Sequence, residues 1–404
     1  LLTVLLVGLF LLSSLRNGAA TEEEITESVA ELQESCRQSK ASGDWRRLER
    51  EAQQWSELQP KRLEPWLLAA DAARQQGNIA LVAQYLSQTP NDCPIQVLAI
   101  LGQLQLEELN QPLAAIATYQ RILARFPDDL ETHLRLLQIY SMTCQREEVI
   151  EQARKCIATG NAPPSVFAFL IAARWLVFSN GFDVNNQWLS AGEEKELFEV
   201  AAVLHLYVHP ELKSMAQKAP LGLQVPTEYF EHQLRQVLKR YPRNPELLVV
   251  QLRQLSQRGD VTEVAKILAN ASAACGEDPR FWYFHGWYHS TMENWESARE
   301  AYQRALEIEP FDWLTWSELA MASRRTAGPE AARPLQEIAL LGRDVTQVIR
   351  MATNMEAIDV EDFEKLADYF EACGDSKLAQ QLRISLARSK SLRSVSSDWP
   401  GASR

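Results

Sequence analysis

Residues 281–310, FWYFHGWYHSTMENWESAREAYQRALEIEP, limit what this chain can fold into more than any other stretch. Trp282, Gly286, Ala298, Tyr302, Ala305 and Pro310 form a series: large aromatic, glycine, small residue, second aromatic, small residue, helix-stopping proline. Two antiparallel helices close against each other only where a bulky side chain on one meets a small residue on the other, because protein interiors are close-packed. One period of 34 residues forward from Trp282 lands on Trp316, and one period back lands on Leu248. Large apolar residues held in phase at that period specify stacked helix pairs.

The rest of the chain supports an array. At 404 residues it exceeds what one hydrophobic core usually serves. Only 16 residues are glycine, Ala, Leu, Gln, Glu and Arg fill the segments, and no alternating β-branched run argues for a sheet. A formal net charge of −12 argues against a nucleic-acid footprint, which needs a basic face.

The phase extends outward from residue 282. Ala115, Tyr119, Ile122 and Pro127 repeat the spacing of Ala298, Tyr302, Ala305 and Pro310. Their partner helix holds Leu98, Leu101 and Gly102, with one extra residue in the turn near Asn110. Further units begin around Leu32, Trp66, Leu130, Leu248 and Trp316. Gly43-Asp44, Gly77-Asn78 and Gly259-Asp260 are turn signals between paired helices. A last unit, from Phe363 to Leu386, arrives 13 residues late, which implies extra helix near 345–355. Between 164 and 227 the phase is lost. Two strongly apolar helices are expected there, 166–178 and 196–208, with insertions around them. The polar, Ser-rich residues 388–404 are expected to be disordered.

Over residues 29–387 the chain resembles the tetratricopeptide repeat (TPR) family. The resemblance implies an all-α fold: a TPR-type α-solenoid, a right-handed superhelix of helix hairpins whose first helices line a concave groove. The expected organisation is an N-terminal half-array at 29–163, a degenerate helical region at 164–227 and a C-terminal half-array at 228–387. An apolar segment at 1–20 and a linker at 21–28 precede them. An anchored array of this kind resembles membrane-tethered bacterial scaffold proteins.

Residues 1–15 carry no charge. As a helix they span roughly 22 Å, short of a hydrocarbon core of roughly 30 Å, and residues upstream of Leu1 are expected to complete the span. The alternative is a secretory leader cleaved near Ala20, after the small residues Gly18 and Ala19. The anchor is favoured because the run is long for a leader's apolar region. Either way the repeats are expected outside the cytoplasm. The cysteines at 36, 93, 144, 156, 275 and 373 contain no Cys-x-x-Cys pair, and Cys36 and Cys156 fall where the repeat needs a small residue. Neither a disulfide framework nor a zinc site is expected.

Candidate chemistry is sparse. His285/His289 and His205/His209 have the spacing of a helical metal site, but HGWYH lacks the Glu of a zinc protease and neither pair has an evident third ligand. No nucleophile elbow or phosphate-binding glycine loop is present. Neither catalysis, a cofactor nor a metal is expected. In the TPR pattern, positions 2, 5, 9, 12 and 13 of a first helix face the groove. The register puts Arg280, Tyr283 and Trp287 there in one unit, Arg253 in the unit before, and Arg324 and Arg325 in the unit after. Arginine forks match carboxylates, and rigid aromatics bury area at low entropic cost. These six residues are therefore expected to bind a protein or peptide partner of acidic character. The expected function is a membrane-tethered, extracytoplasmic scaffold. The alternatives are a recruiting subunit of an envelope enzyme complex, or a helical-repeat enzyme with its site in 164–227.

Overall fold

The computed structural model describes residues 22–175, 181–192, 195–208, 227–271 and 273–397. The segment 1–20, expected to anchor or export the chain, lies outside them, as does 209–226. Among the described residues there are twenty α-helices and no strand. No described helix is long and apolar enough to cross a membrane. The chain divides into two compact units, Leu1–Arg125 and Phe126–Arg404.

The first unit is three hairpins: α1 (Glu22–Ser42) with α2 (Trp45–Leu58), α3 (Leu63–Gln75) with α4 (Ile79–Ser87), and α5 (Ile95–Gln103) with α6 (Pro112–Arg125). Their turns follow from local chemistry. Gly43 and Gly77 sit in the left-handed region, at φ 72° and 73°, where a Cβ is unfavourable. The next residues, Asp44 and Asn78, cap the following helix by accepting from the Arg47 and Leu81 amides. The extra residue expected near Asn110 is absorbed one turn earlier. Residues Leu104–Glu108 widen into a π-helical turn. Gln105 is buried there and accepts from Thr118 Oγ1 at 2.7 Å.

The second unit begins with α7 (Leu130–Met142) and α8 (Arg146–Ala158). It continues with α9 (Pro164–Trp175), α10 (Phe182–Ser190), α11 (Lys195–Val208) and α12 (Thr227–Arg240). Four hairpins complete it: α13 (Pro245–Arg258) with α14 (Val261–Asn270), α15 (Pro279–Thr291) with α16 (Trp295–Ile308), α17 (Trp313–Thr326) with α18 (Pro329–Met351), and α19 (Val360–Ala372) with α20 (Ser376–Ser397). The late arrival of the last unit is taken up by α18, which has 23 residues where α16 has 14.

Helix α9 departs most from a simple repeat. Val166, Phe167, Ala168, Leu170, Ile171, Ala172, Ala173 and Arg174 are all buried, so the helix is enclosed around its circumference. It packs on α8 and, across a long sequence gap, on α18, α20 and the 3₁₀ turn Met355–Ala357. Ser385 Oγ donates to the Ala162 carbonyl at 2.7 Å, and Arg388 donates to the Gly160 carbonyl at 2.9 Å. Those bonds hold α20 against the entry to α9. The last helix continues to Ser397, into residues expected to be disordered. The division falls at 125–126, so α8 and α9 lie in the second unit with the repeats that follow them.

Two contacts recur along the array. In the first, a first-helix glycine faces a second-helix tyrosine. A Cβ at Gly102 would lie 2.7 Å from the Tyr119 ring, and one at Gly286 would overlap the Tyr302 ring outright. The pairing expected from the sequence is therefore a direct steric requirement. In the second, a tryptophan four residues into a first helix ties back to the preceding hairpin. The indole N–H of Trp66 donates to the Pro60 carbonyl at 3.0 Å, Trp316 to Pro310 at 2.7 Å, and Trp282 to Gly276 at 2.8 Å. His133 takes the same place, with Nε2 2.8 Å from the Pro127 carbonyl.

Gly286→Ala should cost about 1–3 kcal/mol by overpacking the hairpin. Urea titrations should show a smaller loss when Tyr302→Leu has removed the ring; equal losses in both backgrounds would mean that the contact is not limiting. Trp316→Phe keeps the aromatic but removes the donor, and should cost about 1 kcal/mol in the same assay.

Candidate functional site

The six residues assigned to the groove do not form one exposed face. Arg280 is 3% exposed, and its bonds are all to its own chain. Its two terminal nitrogens donate to the two Glu246 oxygens at 2.6 Å each, and it also grips Asp278 through Nε at 3.0 Å and Nη2 at 2.6 Å. Arg253 and Tyr283 also point inward, Arg253 hydrogen-bonded to Tyr207. Trp287 is half-buried on a cluster built from Val249, Leu252, Val264, Leu268, Phe281 and Phe284. Arg324 and Arg325 are exposed, with the Arg325 guanidinium 5.4 Å above the Trp295 ring. Arg280 is thus corrected from a groove residue to a buried structural cation. The reason is that residues of α8, α9 and α11 meet the face that the repeat register assigns to a partner: Arg146 lies near Glu246 and Asp278, Arg174 pairs with Asp312, and Tyr207 bonds Arg253.

Beneath that cover lies an ion network. Arg174, at the end of α9, donates to Asp312 Oδ2 at 2.9 Å, both side chains 1% exposed. The same oxygen accepts from the Thr315 amide at 3.2 Å, so Asp312 caps α17 and answers α9 at once. Arg146 of α8 lies 3.6 Å from Glu246 and 3.7 Å from Asp278. Glu309, also buried, sits in the field of Arg174 and Arg146.

Burial sets the electrostatics. It pushes the Asp278 carboxyl up, but the charge and hydrogen bonds of Arg280, with the charge of Arg146, outweigh it and hold the group well below the usual carboxylate range. For Glu309 burial wins and the carboxyl is raised, although Arg174 and Arg146 pull it down. Arg146 is lowered, first by burial and then by the like charge of Arg280.

A second buried cluster brings Cys144, His205 and Asn185 together, residue types that elsewhere perform nucleophilic chemistry. Here they close a turn. Cys144, at φ 53°, occupies the left-handed position that glycine fills in other hairpins. His205 Nε2 lies 2.7 Å from the Met142 carbonyl, so it carries the proton, and Nδ1 accepts from the Gly181 amide at 3.4 Å. Asn185 donates to the Met142 carbonyl at 2.6 Å and the Gly181 carbonyl at 2.7 Å. Cys144 Sγ is 3.4 Å from a ring nitrogen with no free lone pair, and burial raises its thiol well above the ordinary value. The arrangement does not activate the thiol.

His285 is lowered by burial and by His289, while His209 lies outside the described residues. Among the described residues no three His, Cys, Asp or Glu side chains converge as metal ligands. The ion network is faint in the sequence. Its one legible signal was Arg174, a lone charge in FLIAARW, because an apolar helix carrying a charge needs a buried partner for it.

Arg280→Ala should destabilise the protein by about 3–5 kcal/mol, since it leaves the buried Asp278 and the partly buried Glu246 without their shared cation. A carboxyl depressed in the folded state contributes stability that is fully present above its unfolded pKa, near 4, and is lost as pH falls toward the folded value. Wild-type urea stability should therefore drop below about pH 4, and Asp278→Asn should flatten that part of the profile.

No curated protein sequence matches the chain. Many solved structures are similar to it, three of them as follows. The Cut9–Hcn1 hetero-tetramer of the APC/C is 10% identical, covering 90% of this chain and 79% of that one, with a TM-score of 0.34. A tetratricopeptide repeat protein from Parabacteroides merdae is 13% identical, covering 73% and 99%, at 0.28. Yeast Tom70 is 14% identical, covering 90% and 76%, at 0.30. Scores this low place no constraint on the chain's partners. Residues 97–129, which hold the Gly102–Tyr119 contact, match the family model described as tetratricopeptide repeat. That match identifies a tetratricopeptide repeat at 97–129, and the helix hairpins on either side of it are similar in form to such repeats.

Proposed function

We propose that this chain is a scaffold that binds another protein and performs no chemistry of its own. The observation that carries the reading is the surface at the hairpin ends of α15 and α17. Arg324 and Arg325 are exposed there, Arg325 lies over Trp295, and Met292 and Met321 are 52% and 43% exposed. Polarizable apolar side chains beside guanidinium groups suit a partner segment that carries both acidic and apolar residues. Of the six groove residues expected from sequence, these two arginines and the half-buried Trp287 remain candidates for partner contact. Arg253, Arg280 and Tyr283 serve the interior.

The scaffold is further proposed to be tethered to a membrane through residues 1–15, with its repeats outside the cytoplasm. The uncharged composition of that segment supports the reading. Recruitment of an envelope enzyme is the more specific form of the same function.

A fragment from residue 21 onward should capture the partner in a pull-down. Arg324→Ala/Arg325→Ala should weaken that complex by about tenfold or more, a loss of ~1.4 kcal/mol, with unchanged helix content. Added salt should weaken it too, because exposed charge pairs are screened. Undiminished affinity in the double variant would remove this surface from the function. Recovery of the full-length chain in the soluble fraction with residues 1–15 still attached would remove the tether.

A further inference from the structure

Helix α20 changes character at Leu386. Up to that residue it is built into the unit. Leu378, Ala379, Leu382, Ser385 and Leu386 are all buried, and Ser385 Oγ donates to the Ala162 carbonyl at 2.7 Å. From Ala387 to Lys390 no side chain is buried, and Ala387, Arg388 and Lys390 are exposed. That stretch is held at two points. Arg388 donates to the Gly160 carbonyl at 2.9 Å and to Asn161 Oδ1 at 3.3 Å, both in the turn between α8 and α9. Lys390 donates to Glu364 Oε1 of α19 at 2.9 Å, and the two side chains are 56% and 54% exposed. The composition is one-sided as well. Residues 376–397 carry Lys377, Arg383, Arg388, Lys390 and Arg393 and no acidic residue, in a chain of net charge −12.

We propose that the part of α20 beyond Leu386 is an ion-sensitive strap, which leaves α19 and the α8–α9 turn while the part up to Leu386 stays docked. Moving the docked part would pull buried leucines into water, which is costly. Moving the strap breaks only exposed polar contacts, which gain little over their hydrated parts and are screened by salt. The boundary therefore falls where burial ends, and α9 stays covered when the strap opens. Opening separates charges that the closed state pairs. Glu364 is left beside Glu361, three residues away on the exposed face of α19. Arg388 and Lys390 depart together on a segment with no carboxylate of its own. Closed, the strap covers the α8–α9 turn; open, it is a cationic arm next to an acidic helix face. The device does not rest on the Arg324–Arg325 surface and stands or falls separately from it.

Hydrogen exchange read by mass spectrometry tests this on the full-length chain, kept in a non-ionic detergent. In about 0.01 M sodium chloride the amides beyond Leu386 should be protected. Raising the salt to about 1 M shortens the screening length from about 30 Å to about 3 Å. Exchange beyond Leu386 should then quicken about fivefold or more, while amides of residues 376–386 change by less than about twofold. Glu364→Gln and Arg388→Gln should each quicken the same amides at low salt. Lys390→Glu should do so too, and Glu364→Lys/Lys390→Glu, which restores an opposite-charge pair, should return them to slow exchange. Continued slow exchange of 376–386 in every variant shows that the fold is intact. Absence of protection beyond Leu386 at low salt overturns the closed state. Protection there that neither salt nor Glu364→Gln alters overturns the ionic latch. Equal acceleration on both sides of Leu386 overturns the strap, because the helix then moves as one piece. Failure of the swapped pair to restore slow exchange overturns the assignment to Lys390 and Glu364.

Discussion

A helix that is apolar on every face has no side to give to water. Helix α9 is such a helix, and the second unit is arranged around that fact. Its residues from Val166 to Arg174 are enclosed by α8, by α18 and α20 from the far end of the chain, and by the 3₁₀ turn between α18 and α19. In an open solenoid each hairpin leans mainly on its neighbours, so stability is close to a sum of local terms. Here contacts span the whole unit. The Arg174–Asp312 and Ser385–Ala162 bonds join residues 138 and 223 positions apart. Loss of the last hairpin would uncover the central helix. The unit should accordingly unfold as one body and not from its ends.

The buried charges accompany this arrangement more than they drive it. Taking Arg174, Arg280, Asp278 and Asp312 out of water is expensive, and their mutual attraction restores little beyond that cost. What the pairs impose is register. Arg174 finds Asp312 only when α9 enters at one depth, and Arg280 meets Glu246 and Asp278 only when α13 and α15 are correctly stacked. Misplacing either would strand a charge in a low-dielectric interior.

Much of the architecture was legible because repeat packing is a local matter. Gly286 and Tyr302 lie 16 residues apart, and their contact follows from two helices and a turn. The Gly-Asp and Gly-Asn signals placed the hairpin turns for the same reason. The long α18 could be anticipated from a phase delay. The inner face could not. Register alone assigns Arg253, Arg280 and Tyr283 to a groove, but whether a groove stays open depends on what the rest of the chain lays across it. Residues 164–175 gave that information only indirectly: loss of phase together with uniform apolarity marks a helix that is packed from all sides. The Cys144–His205 cluster was illegible for a related reason, since its members are 61 residues apart and meet through the same insertion.

The indole ties at Trp66, Trp282 and Trp316 have a consequence for observation. Each ring sits half-buried at the joint between consecutive hairpins, its N–H held by a carbonyl of the preceding one. Indole emission depends on the polarity and hydrogen bonding around the ring. The chain therefore carries built-in optical sensors at three of its joints, one in the first unit and two in the second. Single-tryptophan forms retaining one of them would show, joint by joint and without an added dye, whether neighbouring hairpins part when a partner is engaged.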